Sequence, residues 1–81
     1  MSDTLAKVQE AFKQSFDVDP RSVTEATSTA DISAWDSVGH LSLVGNLESA
    51  FGISFEVDEL MEMENVKQII RIVERKTSKH G

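Results

Sequence analysis

Cysteine is absent from this 81-residue sequence. The chain itself can therefore supply no disulfide, no zinc thiolate and no thiol nucleophile. If thiol chemistry takes place on this protein, the sulfur atom must arrive on a separately attached group.

Long apolar runs are also missing, and none approaches the roughly 20 residues that a membrane-spanning helix needs. The first ten residues, MSDTLAKVQE, lack the pattern of a signal or transit peptide. We therefore expect a cytoplasmic protein that does not bind a membrane. The length and the 40% share of hydrophobic residues are typical of one small globular domain, so we expect a single domain over residues 1–81 with a thin core.

Basic residues are scarce, with 8 Lys and Arg against 14 Asp and Glu, which gives a net charge of −6. This balance argues against a nucleic-acid partner, because phosphate groups need a basic binding surface. The acids cluster in the middle of the chain, at 56–64, and the bases near its end. We expect partner proteins with basic patches, since opposite charges speed encounter. The alternative, that the charge only keeps a small domain in solution, stays open.

The first helix is predicted over residues 3–16. Leu5, Val8, Phe12 and Phe16 recur in steps of three and four, which places them on one helical face. Residues 17–35 contain the only proline and many Ser, Thr and Asp residues, so they are predicted to form a long loop. Three side chains are expected to attach this loop to the core: Val23, Ile32 and Trp35.

The second helix is predicted over residues 37–51, with Asp36 as its N-cap and Gly52 as its left-handed stop. Its apolar residues cover about half of the circumference, which indicates a central helix; they are Leu41, Leu43, Val44, Leu47, Ala50 and Phe51. A narrow strip of small, uncharged residues lies beside them: Gly39, Ser42, Gly45, Asn46 and Ser49. Because a glycine inside a helix costs about 1 kcal/mol, either another group approaches this backbone closely or the surface tolerates the loss.

Two more helices are expected in the last third of the chain. Residues 53–57 alternate like a strand, but no second strand is available, so we predict an extended segment and a short helix near 58–62. A longer helix is predicted over 65–76, starting at Asn65 with Gln68 as capping partner. Its buried face is expected to contain Val66, Ile69, Ile70 and Val73. The predicted fold class is all-α, with three longer helices and one short one.

Ser37 is the residue on which a functional interpretation depends. It occupies the first position of the second helix, where backbone N–H groups lack partners and attract phosphate, so its hydroxyl suits a phosphodiester. Asp36 would repel phosphate and suits instead a magnesium ion brought by a modifying enzyme. Judged on the dipeptide alone, the pair is explained by ordinary helix capping, without any modification.

His40 follows Ser37 by one helical turn. A Ser–His pair would indicate a hydrolase, but nothing in the sequence orients this histidine or builds an oxyanion hole. We expect His40 to be partly covered by its neighbours or to touch an attached phosphate. Met61 and Met63 are interpreted as ordinary core or surface residues, with an adaptable pocket as the alternative.

Residues 35–70, WDSVGHLSLVGNLESAFGISFEVDELMEMENVKQII, resemble the acyl carrier protein family. Asp36-Ser37-Val38 is similar to the Asp-Ser-Leu attachment motif of that family. The family's downstream Leu-Glu-x-x-Phe-Gly-Ile pattern is present at 47–53. The first helix and the long loop also agree with the family layout, so the resemblance spans essentially the whole chain.

The resemblance implies a small four-helix bundle whose Ser37 receives 4′-phosphopantetheine from coenzyme A, transferred by a phosphopantetheinyl transferase. The arm ends in a thiol that carries acyl groups as thioesters, which explains a carrier without cysteine. Asp36 would assist the magnesium-dependent transfer. A monomeric carrier with no catalytic residues and no metal site of its own is expected.

The second helix and the acidic stretch would form the docking surface for acyl-loading and acyl-processing enzymes. The residues expected there are Val38, Ser42, Gly45, Glu48, Ser49, Glu56, Asp58, Glu59 and Glu62. Few of the expected docking residues on the second helix are acidic. Trp35 before the triplet and Gly39-His40 after it resemble the residues found at these places in stand-alone carriers of specialised pathways. D-alanyl or aminoacyl carriers are an alternative within the family, and an acidic protein-interaction module is the alternative outside it.

Overall fold

The computed structural model describes residues 3–77, which form four α-helices. They are α1 (Asp3–Phe16), α2 (Ser37–Phe51), α3 (Val57–Glu62) and α4 (Val66–Thr77). Residues 3–77 contain no β-strand, so the all-α prediction is confirmed. Within this described part, none of the helices is long and apolar enough to cross a membrane.

Helix α1 has the predicted bounds and buries Val8, Ala11 and Phe12. It ends at Phe16, and the next residue, Asp17, adopts a left-handed conformation with φ of 57°. The N–H of Asp17 donates to the Lys13 carbonyl at 2.8 Å and satisfies one of the carbonyls left over at the helix end. The buried face of α1 lies against α2 and α4.

Helix α2 also has the predicted bounds, because its capping residues act locally. Asp36 Oδ1 accepts a hydrogen bond from the N–H of Gly39 at 2.9 Å. Gly52 is left-handed with φ of 66°, and its N–H donates to the Glu48 carbonyl at 2.8 Å. The predicted wide buried face is wrong in part, since Leu41 is 63% exposed and Ala50 is exposed as well.

The bounds of the last two helices differ by one residue from the predicted 58–62 and 65–76. Helix α3 begins at Val57, directly after the extended segment. Helix α4 begins after Asn65, which acts as the cap: its Oδ1 accepts from the N–H of Gln68 at 2.8 Å. The predicted buried face of α4 is confirmed and also includes Ile72.

The long connection between α1 and α2 is more ordered than predicted, because Pro20–Ser22 form one 3₁₀ turn. Val23 and Trp35 are buried and Ile32 is partly buried, so all three attach the loop to the core as expected. Farther along the loop, the carbonyl of Thr27 accepts from the N–H of Val66 at 2.8 Å. The loop therefore also holds the start of α4.

An aromatic cluster fixes the end of the loop against α1. The rings of Phe12 and Trp35 meet edge to face, with centroids 5.0 Å apart and planes at 87°. Phe16 lies 5.6 Å from Phe12 in a similar arrangement. Edge-to-face contacts between aromatic rings are favourable beyond the area they bury. The backbone just before Ser37 is thus held by the core of the domain.

Candidate functional site

Ser37 is the first residue of α2, and its side chain is exposed. The segment before it is anchored, because Trp35 is only 4% exposed and its backbone N–H donates to the Ile32 carbonyl at 3.0 Å. The hydroxyl is therefore presented to solvent from a fixed backbone at the positive end of a helix dipole. This is the position that the sequence predicted.

The other predicted site residue, Asp36, caps the same helix. One of its carboxylate oxygens accepts from Gly39, and its side chain stays exposed. Its backbone carbonyl accepts from the N–H of His40 at 2.7 Å and continues the helical hydrogen bonding. Asp36 therefore shapes the start of α2 and keeps its carboxylate accessible beside Ser37.

Gly39 is the residue of the small, uncharged strip whose backbone another group approaches closely. A Cβ at this position would collide with the carbonyl oxygen of Ala34 and would lie 2.9 Å from Cε1 of Phe16. The group that approaches this backbone closely is thus the chain's own loop. Gly45, in contrast, has open space where a Cβ would be.

The strip does not form one continuous surface. Asn46 Nδ2 donates to the hydroxyl of Ser15 on α1 at 2.7 Å, so Asn46 holds the two helices together. Only Ser42, Gly45 and Ser49 of the strip are exposed. The small, neutral face of α2 is therefore narrower than the sequence indicated.

His40 is partly buried, as expected, and both ring nitrogens are engaged. Trp35 Nε1 donates to Nδ1 of His40 at 2.8 Å, and His40 Nε2 lies 3.0 Å from the carbonyl oxygen of Leu60. Because an indole N–H can only donate, Nδ1 must accept the hydrogen bond from Trp35. Nε2 must then carry the imidazole proton and donate a hydrogen bond to the Leu60 carbonyl. This arrangement leaves no nitrogen to take a proton from Ser37, so it argues against a Ser–His hydrolase.

An open cavity of about 290 Å³ lies beside Ser37. Its lining includes Ser37 and Asp36 together with Trp35, His40 and Met63. A group attached to the serine oxygen would therefore have space next to its anchor. Met63 is both a core residue, only 3% exposed, and part of this cavity.

Most of the predicted docking residues are exposed. The exposed members are Val38, Ser42, Gly45, Ser49, Glu56, Asp58 and Glu62. The other two, Glu48 and Glu59, are half-buried and accept hydrogen bonds within the chain. Glu48 Oε2 accepts from the N–H of Phe55 at 2.9 Å and fixes the segment after α2.

Glu59 links α3 to α4. Its Oε1 accepts from the N–H of Glu56 at 2.7 Å and from Nζ of Lys76 at 2.9 Å. The backbone hydrogen bond from Glu56, followed by the hydrogen bond from Lys76, lowers the pKa of Glu59 below its ordinary value of 4.5. Arg75 adds a weaker ion pair at 3.8 Å.

Sequence reasoning placed Val38 in the docking surface but did not identify the exposed apolar group on α2 and α3 to which it belongs. Its members, which we term the exposed apolar set, are Val38, Leu41, Val57 and Met61, all more than 60% exposed. Val38 and Leu41 are three residues apart and Val57 and Met61 four apart, so each pair shares one helix face. Helical periodicity had placed Leu41 in the core, and only the packing shows that α1 does not cover it.

Comparisons with known proteins show which family this chain is similar to. The family model described as "PP-binding: Phosphopantetheine attachment site" matches residues 6–73. An acyl carrier protein of Caulobacter vibrioides is 31% identical over 78 residues, which is 96% of this chain and 100% of the relative. An acyl carrier protein of Phenylobacterium zucineum is 29% identical over 76 residues, covering 94% and 96% of the two chains.

The fold has a solved counterpart in the solution NMR structure of a holo acyl carrier protein from Geobacter metallireducens. It superimposes with a TM-score of 0.81 at 36% identity, over 99% of this chain and 97% of that one. The chain belongs to the acyl carrier protein family. The resemblance seen in the sequence is therefore confirmed, and so is the small helical bundle that it implied.

Membership settles the general activity. Acyl carrier proteins carry acyl groups on a phosphopantetheine prosthetic group, and this function is favoured here over a non-carrier interaction module. Family members work with a phosphopantetheinyl transferase and with acyl-processing enzymes. The Asp36-Ser37-Val38 triplet and the residues that line the cavity lie within the matched range.

Proposed function

We propose that Ser37 is the residue that carries 4′-phosphopantetheine in this acyl carrier protein. The observation that supports it best is the exposed Ser37 hydroxyl at the start of α2, fixed by the buried Trp35 and bordered by an open cavity. We further propose that residues 1–81 act as one monomeric, cytoplasmic carrier domain without catalytic activity of its own.

Attachment would replace the phosphoanhydride bond of coenzyme A by a phosphate ester to the serine. Ser37 Oγ forms a bond to the pantetheine-linked phosphorus of coenzyme A, the P–O bond to the nucleotide breaks, and the serine proton leaves to a base of the transferase. The phosphodiester then lies at the N-terminus of α2, where the helix dipole and the first N–H groups favour negative charge. The bound group supplies the thiol that this cysteine-free chain lacks.

Asp36 is proposed to assist that transfer. Its carboxylate is exposed next to Ser37, although one oxygen accepts from Gly39. Carboxylate and phosphate oxygens are the ligands that magnesium prefers in phosphate-transfer sites. The second oxygen of Asp36 would therefore contribute to a magnesium ion held mainly by the transferase and coenzyme A.

The docking surface is proposed to combine the exposed apolar set with three exposed acids: Glu56, Asp58 and Glu62. Apolar side chains at the centre of a contact supply most of its binding energy, and acids at its edge select basic partners. Ser42 and Ser49 would allow a partner to lie close to α2. Replacing both by glutamate should weaken loading by the native partner, and unchanged loading kinetics would remove this part of the proposal.

The attachment proposal is tested by intact-protein mass. The chain is incubated with coenzyme A, magnesium and a phosphopantetheinyl transferase, and we expect a mass gain equal to one phosphopantetheine. Ser37→Ala should abolish the gain, whereas the matched control Ser42→Ala, which removes an exposed serine on the same helix, should keep it. A gain that persists in Ser37→Ala would show that another residue carries the arm.

A further inference from the structure

A chain of hydrogen bonds runs from the core to α3 directly beside Ser37. Trp35, held by the rings of Phe12 and Phe16, donates to Nδ1 of His40 at 2.8 Å. His40 Nε2 in turn meets the carbonyl of Leu60 at 3.0 Å. The indole and imidazole rings are nearly parallel, with planes that differ by 20° and centroids 6.2 Å apart.

Helix α3 needs such an attachment. It has six residues, of which none is fully buried and Leu60 is partly buried against the core, and a helix this short is not stable by itself in water. The Leu60 carbonyl lies near the C-terminal end of α3, where backbone carbonyls lack N–H partners within the helix. Its backbone hydrogen bond, from the N–H of Met63, is long at 3.3 Å. The His40 imidazole supplies the second donor and joins α3 to the first turn of α2.

The other polar attachment of α3 leads away from the site. Glu59 binds Lys76 and Arg75, so it fixes α3 to α4. Only the hydrogen bond to His40 fixes α3 to the helix that begins with Ser37, among the side-chain hydrogen bonds found in residues 3–77. Leu60 and His40 both line the cavity beside Ser37.

We propose that His40, oriented by Trp35, is a positioning residue that fixes α3 against α2 beside the attachment serine. It acts through the Leu60 carbonyl and does not touch the reacting oxygen. Its bond sets the separation of the two helices, and so brings the apolar faces of α2 and α3 into one docking surface. This last consequence rests on the proposed role of Ser37, whereas the positioning itself does not.

The first test measures local opening by amide hydrogen exchange in the unmodified protein. His40→Phe keeps a ring but removes both hydrogen bonds, and the amides of Leu60 and Met63 should exchange about twofold to tenfold faster, as expected for one lost bond. Amides of Ile69 and Val73 in α4 should keep their native rates. If all these amides accelerate by the same factor, His40 only stabilises the whole fold and the proposal is wrong.

A matched control and a second variant complete this test. Asn46→Ala removes one partly buried bond between α2 and α1 and should leave the α3 amides unchanged. Trp35→Phe removes the donor to Nδ1, and its effect on α3 exchange should not add to that of His40→Phe, because both act through one chain of bonds. Full additivity would contradict the coupling. NMR of the native chain should show the Nε2–H tautomer of His40; the other tautomer would overturn the geometry.

A second experiment measures the kinetics of pantetheinyl transfer to Ser37. For His40→Phe we expect KM for the carrier to rise by about twofold to tenfold while kcat stays within about twofold, because binding loses a prearranged surface. A fall in kcat with unchanged KM would contradict a positioning role. If the native chain takes up no phosphopantetheine at all, the proposed function of Ser37 fails, and the exchange experiment still decides the role of His40.

Discussion

The carbonyl oxygen of Ala34 occupies the space that a Cβ on Gly39 would need. Ala34 and Gly39, which are five positions apart, are thus in close contact where the loop leads into α2. Cε1 of Phe16 in α1 also lies only 2.9 Å from that Cβ position. Any larger residue at position 39 would displace the loop segment that leads to Ser37.

Gly39→Ala should therefore destabilise the fold, by about 1–3 kcal/mol as is usual for overpacking a tight contact. Gly45→Ala is the matched control on the same helix, since its added methyl group meets no atom within 4 Å. That variant should gain up to about 1 kcal/mol from better helix propensity. Denaturant unfolding measures both changes, and equal effects of the two variants would contradict this account of Gly39.

Asp36 combines two roles that two substitutions can separate. Asp36→Ala loses the cap on Gly39 and should cost about 0.5–2 kcal/mol of unfolding free energy. Asp36→Asn caps a helix about as well and should remain close to native stability. Both variants should slow pantetheinyl transfer, because neither supplies a carboxylate. Native transfer rates in Asp36→Asn would show that the negative charge of Asp36 is not needed.

The sequence predicted those features of the fold that local chemistry decides. Asp36 and Gly52 mark both ends of α2, and the stripe of four apolar residues marks α1, so the bounds of these helices were correct. The position of Ser37 followed from the same caps.

Features that depend on distant parts of the chain could not be predicted. Leu41 continues the apolar pattern of α2, but no other helix covers it, and periodicity cannot show that. Glu48 and Glu59 looked like surface acids until their partners, Phe55 and Lys76, were brought next to them by folding. The hydrogen bonds of His40 join residues up to 20 positions apart, and no local sequence pattern predicts them.

Glu59 should make stability depend on pH in the acidic range. Its pKa is lowered in the folded state by the N–H of Glu56 and by Lys76, so its contribution is present above the ordinary value of 4.5. It is lost as the pH falls from 4.5 through the lower pKa of the folded protein. Glu59→Gln should therefore lose stability at neutral pH and flatten this part of the pH profile of unfolding free energy.

Glu62→Gln provides the comparison for that profile, because it removes an exposed acid from the same helix. Its unfolding free energy should follow the native pH dependence between about pH 6 and about pH 3, within the roughly 0.5 kcal/mol typical of surface changes. Identical profiles for Glu59→Gln and the native chain would contradict the structural role given to Glu59.

The exposed apolar set should matter for partners and not for folding. Leu41→Ser and Met61→Ser change side chains that are 63% and 74% exposed. Their unfolding free energies should stay within about 0.5 kcal/mol of native. KM in transfer or acyl loading should rise by about fivefold or more, as for a residue worth over 1 kcal/mol in a contact.

Ala50→Ser is the control for this series, since it places the same polar residue at an exposed apolar position near the other end of α2. It should leave KM unchanged. Kinetics in which all three serine variants behave alike would show that partners do not use the surface beside Ser37.

Peptide mapping of the pantetheinylated chain tests the central claim most directly. After proteolysis, tandem mass spectrometry locates the added group among Ser33, Ser37 and Ser42, which lie close together in sequence. We expect the phosphopantetheine mass on Ser37 alone, at one group per chain. A group found on a neighbouring serine, or no modified peptide after exhaustive reaction, would contradict the assignment of Ser37 as the attachment residue.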